Sequence, residues 1–182
     1  MIYTIPNLLS FCRIGIIPIV VIAFYIDTSF CRWATLIIFM FACFTDFLDG
    51  YIARAWSQTS RLGKVLDPVA DKMLVASVLL LLAGFHKISR LTLVPAIIIL
   101  CREIMVLGLR EYLSEFKLSL SIGLFSKWKT AVQMASIGSL LLGKISDSGS
   151  ILNVVGEGLL WVAAFMTCAT GIGYFKSAIK HL

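Results

Sequence analysis

Four aspartates lie inside, or at the ends of, stretches of this sequence that are otherwise apolar enough for a lipid bilayer: Asp46, Asp49, Asp67 and Asp71. Placing one aspartate in the middle of a membrane costs about 2.5 to 3.5 kcal/mol, so four cost about 10 kcal/mol or more. A chain with this pattern has to compensate the buried negative charge. The compensating group therefore limits both the fold and the function of the chain.

The spacing of the aspartates indicates how they come together. In a helix, Asp46 and Asp49 share one stripe with the small residues Gly50 and Ala53, and Asp67 and Asp71 lie four residues apart on one face of a second helix. If the two stripes face each other, four carboxylates gather. Two divalent cations would balance their charge, and oxygen ligands suit magnesium, manganese or calcium rather than zinc. Such sites usually serve phosphate chemistry.

A simpler interpretation of the aspartates is that they cap helices and pair with nearby basic residues at a wet membrane edge. The candidate partners are Arg54, Arg61, Lys64 and Lys72. This interpretation suits a single pair better than four carboxylates interleaved with small residues.

The composition predicts an all-α integral membrane protein with one domain over residues 1–182. Of the 182 residues, 59% are hydrophobic and only 14% are charged. Six apolar segments predict six transmembrane helices, at about 8–26, 33–55, 67–85, 91–112, 127–142 and 151–174. Pro68 suits the first turn of the third helix, which would make Asp67 a cap. Glycines in the sixth segment predict close helix packing, within the fold or in a dimer.

The charge pattern predicts both orientation and partners. The net charge is +6, but the basic residues are scattered between apolar segments, so anionic lipid and phosphorylated substrates are better partners than nucleic acid. The loops and span ends on the side of the aspartates hold nine basic residues, and the opposite side holds four. The positive-inside rule therefore places the aspartates and both termini in the cytoplasm, which for a bacterial chain means the face of the inner membrane.

The pattern D-x2-D-G-x2-A-R-x8-G-x3-D-x3-D is complete between Asp46 and Asp71, and at these positions the chain resembles the CDP-alcohol phosphatidyltransferases. The resemblance implies two metal ions, Mg²⁺ or Mn²⁺, on the four aspartates, and Asp71 as the base that deprotonates an acceptor alcohol. It also implies transfer of a phosphatidyl group from a CDP-activated lipid with release of CMP. The residues that would bind the CDP-lipid are Asn7, Asp49, Gly50, Ala53, Arg54, Ser60 and Gly63.

Three further segments, IPNLLSFCR, CREIMVLGLREYL and SKWKTAVQM, are similar to the branch of that family that makes phosphatidylglycerophosphate. In this branch the donor is CDP-diacylglycerol, the acceptor is glycerol 3-phosphate, and basic residues bind the acceptor phosphate. The residues at those positions are Arg102, Arg110, Lys127 and Lys129. The family resemblance also makes a homodimer plausible.

Simpler roles exist for these basic residues. Glu103 and Glu111 could neutralise the two arginines, and Lys127 and Lys129 could lie near lipid headgroups. Three alternatives to the function stay open on the sequence. The same chemistry could use another acceptor, such as inositol phosphate, serine or phosphatidylglycerol. The aspartates could serve a cation-coupled transporter, or the chain could be a membrane scaffold.

Overall fold

The computed structural model describes residues 5–56, 61–115, 124–145 and 149–179. Within these ranges the chain forms six helices and no strand, which confirms the predicted all-α class and the number of helices. The helices are α1 (Ile5–Ile26), α2 (Ser29–Trp56), α3 (Arg61–Gly84), α4 (Leu93–Glu115), α5 (Leu124–Gly143) and α6 (Gly149–Ile179).

Contacts near the helix ends show that α1 and α3 run in the same direction. Ser10 near the start of α1 contacts Asp67 near the start of α3, and Tyr25 near the end of α1 makes an edge-to-face ring contact with Phe85 just after α3. Helix α1 packs against α2 and α3, whereas α6 packs against α4 and, most extensively, against α5. The bundle therefore has an aspartate half, which contains Asp67 and Asp71, and an opposite half, which contains the α1–α2 and α3–α4 connections.

Two helices in the opposite half end at non-glycine residues with a left-handed backbone. Asp27 follows α1 with φ of 50°, and His86 follows α3 with φ of 52°. At the end of α3, the N–H of Lys87 donates to the carbonyl of Leu82 at 2.8 Å, and the N–H of His86 donates to that of Ala83. These two bonds form a Schellman cap, which satisfies carbonyls that the end of a helix leaves open.

The predicted start of the third helix was wrong by six residues. Helix α3 begins at Arg61, so Pro68 lies inside it and Asp67 is not a cap. A proline inside a helix removes its own N–H from the ladder and crowds the carbonyl four residues earlier, but the residues after it, including Ala70, Leu74 and Val75, are buried and hold the helix against its neighbours. As a result Asp67 and Asp71 stand on one uninterrupted helix, as their four-residue spacing predicts.

The core of the bundle is a continuous apolar cluster to which all six helices contribute. Its largest fully buried side chains are Phe24, Phe39, Leu79, Leu82, Ile99, Ile137, Leu140, Leu141 and Leu160. This cluster fixes how α3, α4 and α5 approach one another, and these three helices carry most of the charged residues described below.

Among the described helices, only α6 has a stretch both long and apolar enough to cross a bilayer, Ile151–Ile172. Two shorter apolar helical stretches are Ser10–Ile26 and Ser29–Thr45. The arrangement of six membrane spans therefore stays a prediction.

Candidate active site

Helix α3 carries the two predicted metal-binding aspartates whose side chains the structure describes. Asp67 and Asp71 are both partly buried, and they lie one helical turn apart. The hydroxyl of Ser10, which is fully buried on α1, donates a hydrogen bond to Oδ1 of Asp67. Helix α1 thus fixes the orientation of one carboxylate through a side chain that the sequence analysis did not single out.

The second carboxylate pairs with its neighbour in the chain. Nζ of Lys72 lies 2.8 Å from Oδ2 of Asp71 and 3.0 Å from Oε2 of Glu103 on α4. Lys72 therefore bridges two carboxylates on different helices. The simpler interpretation of the sequence, in which basic residues pair with the aspartates, is correct for this one contact.

Glu103 is the centre of a buried cluster of charges. Its Oε1 accepts a hydrogen bond from Nζ of Lys129 on α5, and Nη1 of Arg102 lies 3.1 Å from the same oxygen. Arg102, Glu103 and Lys129 are all buried. We refer to Lys72, Arg102, Glu103 and Lys129 as the basic junction, because three cations surround one carboxylate.

Helix α6 completes the surroundings of Arg102. Nη2 of Arg102 donates to the hydroxyl of Thr170 at 2.7 Å. The next residue, Gly171, leaves room for the arginine, since a Cβ at that position would lie 3.4 Å from Cγ and Nε of Arg102. Four helices, α3 to α6, therefore meet around the basic junction.

The structure brings together two of the four residues predicted to bind the acceptor phosphate. Arg102 and Lys129 meet at Glu103, so the simpler role, in which Glu103 neutralises Arg102, is observed. Arg110, about two turns further along α4, is exposed, and so is Lys127. Binding of phosphate by these four residues stays a prediction.

Most of the remaining predicted residues lie on described helices, but their side chains are outside the described part of the structure. Asn7 lies on α1, Asp46, Asp49, Gly50, Ala53 and Arg54 lie on α2, and Gly63 lies on α3. Ser60 is outside the described residues altogether. The helical backbone of α2 places Asp46, Asp49, Gly50 and Ala53 on one stripe, as predicted. Among the described side chains no group of three potential metal ligands is present, so the four-aspartate site stays a prediction.

Sequence reasoning identified Lys72 and Glu103 only as possible charge partners, and it did not consider Ser10 or Thr170. Ser10 and Thr170 carry no local signal, because a single hydroxyl in an apolar helix is common and its partner is distant in the chain. Glu103 did carry a signal, since a carboxylate beside an arginine in an apolar helix needs a compensating partner. The sequence could not show that this partner is shared among three helices.

Comparison with known proteins places these features in a family. The model of the CDP-alcohol phosphatidyltransferase family matches residues 3–169. A relative from Rickettsia felis, named CDP-diacylglycerol–glycerol-3-phosphate 3-phosphatidyltransferase, is 41% identical over 176 residues, which cover 97% of this chain and 96% of the relative. Relatives of the same name are 42% identical in Rickettsia bellii, with the same coverage, and 38% identical in Haemophilus influenzae, covering 97% of this chain and 94% of the relative. The match spans nearly the whole chain, including the aspartate motif and the basic junction, and this chain belongs to the CDP-alcohol phosphatidyltransferase family.

Proposed function

We propose that this chain transfers the phosphatidyl group of CDP-diacylglycerol to sn-glycerol 3-phosphate, giving phosphatidylglycerophosphate and CMP. The names of relatives that match this chain from end to end support both the donor and the acceptor. The observation that carries the proposal is that buried cations lie beside α3, the helix that carries Asp67 and Asp71. Lys72 connects Asp71 to Glu103, and Glu103 connects to Lys129.

The carboxylates on α3 fit the two divalent cations that the family implies. Oδ1 of Asp67 is bonded to Ser10 and Oδ2 of Asp71 to Lys72, and each carboxylate has a second oxygen without a hydrogen bond among the described residues. Aspartate oxygens are ligands that Mg²⁺ and Mn²⁺ prefer. Asp46, Asp49, Asp67 and Asp71 would hold the metal ions. When bound, the ions would neutralise the charge that develops on the diphosphate of the donor.

The reaction needs one proton transfer and one exchange of bonds at phosphorus. A hydroxyl oxygen of glycerol 3-phosphate attacks the phosphorus that carries diacylglycerol, and the bond from this phosphorus to the CMP oxygen breaks. Asp71 accepts the proton of the attacking hydroxyl. Arg54, together with the small residues Gly50 and Ala53, binds the diphosphate of the donor. CMP leaves with the electron pair of the broken bond.

Arg102 and Lys129 suit the phosphate of the acceptor. Both side chains are buried, and a buried cation attracts an anion more strongly than an exposed one because water screens it less. Exposed Arg110 and Lys127 would supply further positive charge at the entrance. Helix α4 and the start of α5 therefore bind the acceptor, whereas α2 and the start of α3 bind the donor.

The surface of the bundle supports insertion in a membrane. Large apolar side chains are exposed on every helix, among them Phe30 at 82% and Phe165 at 78%. Lipid would cover such a surface, whereas a soluble monomer rarely exposes this much apolar area. We therefore assign six membrane spans, a location in the bacterial inner membrane and an active site that faces the cytoplasm, as the distribution of basic residues predicts. A fluorescent protein that folds only in the cytoplasm, fused to the C-terminus, should fluoresce in cells. Absence of fluorescence from this fusion, although the fused protein is present in the membrane, would contradict the topology.

A homodimer also belongs to the proposal. Gly156 and Gly171 on α6 pack within the chain, against α5 and α4, so these two glycines do not form the dimer contact. The exposed side of α6, which includes Val154 and Phe165, is the better surface for a second copy. Sedimentation of the purified protein in detergent should give the mass of two chains.

The decisive experiment measures CMP released by the purified protein from CDP-diacylglycerol with a panel of acceptors. We expect release with glycerol 3-phosphate and Mg²⁺, none with a chelator, and recovery when Mg²⁺ is added back. Release only with inositol phosphate, serine or phosphatidylglycerol would contradict the acceptor and keep the aspartate chemistry. No release with any acceptor, from protein shown to be folded, would overturn the enzymatic function.

A further inference from the structure

Glu103 occupies an unexpected place for a carboxylate. It is 5% exposed and lies among the cations that would bind an anionic acceptor. Both of its oxygens are in use, since Oε1 contacts Lys129 and Arg102 while Oε2 contacts Lys72. A site built only to attract phosphate would bind it more strongly without this negative charge. The carboxylate therefore has a role other than attraction of the acceptor.

The contacts of Glu103 are suited to hold its partners in place. A lysine ammonium has three N–H donors and an arginine guanidinium has five, so each partner can contact Glu103 and still donate to a phosphate. Without Glu103, the buried cations Arg102 and Lys129 would face each other uncompensated, with Lys72 beside them, which is costly in a medium that screens charge poorly. The carboxylate thus keeps the cations close together, with donors available for an anion.

One of these partners also contacts the residue that takes the proton. Nζ of Lys72 lies 2.8 Å from Oδ2 of Asp71 and 3.0 Å from Oε2 of Glu103. An unbroken series of ion pairs therefore runs from Asp71 through Lys72 and Glu103 to Lys129. This series joins α3 to α4 and α5, which carry the residues for the acceptor phosphate.

We propose that Glu103 is a positioning residue that fixes the binding site of the acceptor phosphate relative to Asp71, through Lys129 on one side and Lys72 on the other. The inference rests on the proposed function. Its chemical reason is that the phosphate and the attacking hydroxyl belong to one small molecule, so the two ends of the acceptor must be held at a fixed separation. A misplacement of 1 Å in such a site can lower the rate by about a hundredfold.

Glu103→Gln keeps the size of the side chain and removes its charge. Lys129 and Arg102 then lose their anchor, and Lys72 pairs with Asp71 alone and competes for the oxygen that must take the proton. We expect the KM for glycerol 3-phosphate to rise and kcat to fall, each by about tenfold. The resulting loss in kcat/KM, about a hundredfold, is the scale of losing one partner of a buried ion pair. The KM for CDP-diacylglycerol should change by less than about twofold, because no donor contact is altered.

Two matched variants separate position from general loss of charge. Glu157→Gln makes the same change in the opposite half of the bundle, away from the basic junction, and should leave all three constants unchanged. Glu103→Asp keeps the charge on a shorter side chain and should recover part of both losses. A purely structural glutamate would instead lower the yield or the thermal stability of Glu103→Gln without changing either KM.

Lys72→Met tests the same series of ion pairs from its other end, at a side chain that is 24% exposed and therefore easier to replace. It should lower kcat with a smaller change in the acceptor KM, since Lys129 and Arg102 keep their contacts with Glu103. In the double variant Lys72→Met with Glu103→Gln, the loss in kcat should be smaller than the product of the single losses. If the loss in kcat of the double variant equals the product of the two single losses, the two residues are not coupled and the proposed series of ion pairs is overturned.

Binding of the acceptor gives a readout that does not depend on turnover. Glycerol 3-phosphate should raise the Tm of the wild type and of Glu157→Gln, and should raise that of Glu103→Gln much less. Normal kinetic constants and a normal Tm shift in folded Glu103→Gln would overturn the proposal. If that variant does not fold, unchanged kcat in Lys72→Met would overturn it instead. A wild type that binds glycerol 3-phosphate but releases no CMP would contradict the proposed function alone, and the Tm shifts would still decide the role of Glu103.

Discussion

Gly156 on α6 lies where α6 packs most closely on α5, and replacing it by alanine should destabilise the bundle. A Cβ at Gly156 would lie 2.7 Å from Cγ, 2.9 Å from Cδ2 and 3.1 Å from the backbone nitrogen of Leu140. Leu140 is fully buried, so its side chain has little room to move away. The hydroxyl of Ser136 also donates to the carbonyl of Gly156 at 2.7 Å, which ties the two backbones together at this point.

Two effects of opposite sign set the size of the change. Extra volume in a packed core costs about 1 to 3 kcal/mol. Alanine is favoured over glycine inside a helix by about 1 kcal/mol. A Cβ at Gly158, two residues along the same helix, would meet no atom within 4 Å among the described residues, so only the favourable effect applies there. The difference between Gly156→Ala and Gly158→Ala therefore isolates the cost of the close contact, about 1 to 3 kcal/mol.

The assay is thermal unfolding of both variants in the same detergent, at one scan rate. For a chain of this size 1 kcal/mol shifts Tm by about 2 to 4 °C, so Gly156→Ala should unfold at least about 2 °C below Gly158→Ala. A larger loss is expected in Gly156→Val, whose branched side chain cannot avoid the backbone of Leu140. Equal Tm values for the two alanine variants would refute the close approach of α5 and α6 at Gly156.

Three further predictions concern single side chains. Asp71→Asn should lower kcat by about a hundredfold or more, the usual scale for losing a general base, with an unchanged KM for CDP-diacylglycerol, and unaltered turnover would remove Asp71 from that role. The hydrogen bond from Lys144 lowers the pKa of Asp27, so the carboxylate stabilises the fold above its unfolded pKa and loses this contribution as the pH falls through the lower folded value. Lys144→Met should therefore lower Tm relative to the wild type at neutral pH, and this difference should shrink below about pH 4. A difference that does not depend on pH would contradict the ion pair. Glu157 accepts hydrogen bonds from both the N–H and the hydroxyl of Ser89, so Glu157→Gln should cost about 1 to 2 kcal/mol of stability, and an unchanged Tm would contradict these contacts.

The sequence predicted the helices well because their pattern is local. Apolar stretches separated by short polar connections indicate helices in a membrane protein, and all six were found. The boundary at Pro68 was wrong because a proline near the start of an apolar segment normally marks the first turn of a helix. Whether the helix continues before the proline depends on packing against neighbours, and the sequence does not contain that information in local form.

The candidate site was predictable where residues lie close in the chain. The spacing of Asp67 and Asp71 placed both on one face of α3, and the proximity of Arg102 and Glu103 made them possible partners. The contacts of Glu103 with Lys72 and Lys129 join residues 31 and 26 positions away, on separate helices. Several basic residues could have met this glutamate, so only the tertiary structure identifies its partners.

Helix α3 explains why the donor and acceptor sites can act together. Asp67 faces α1 through Ser10, whereas Lys72, five residues later, faces α4 through Glu103. Five residues turn a helix by about 140°, so one short segment of α3 presents carboxylates on one side and a bridging cation on the other. Asp71 lies between them and contacts that cation. Because Asp71 and Lys72 are neighbours on one helix, the contact between Lys72 and Glu103 also fixes the proposed base relative to α4, which carries part of the acceptor site.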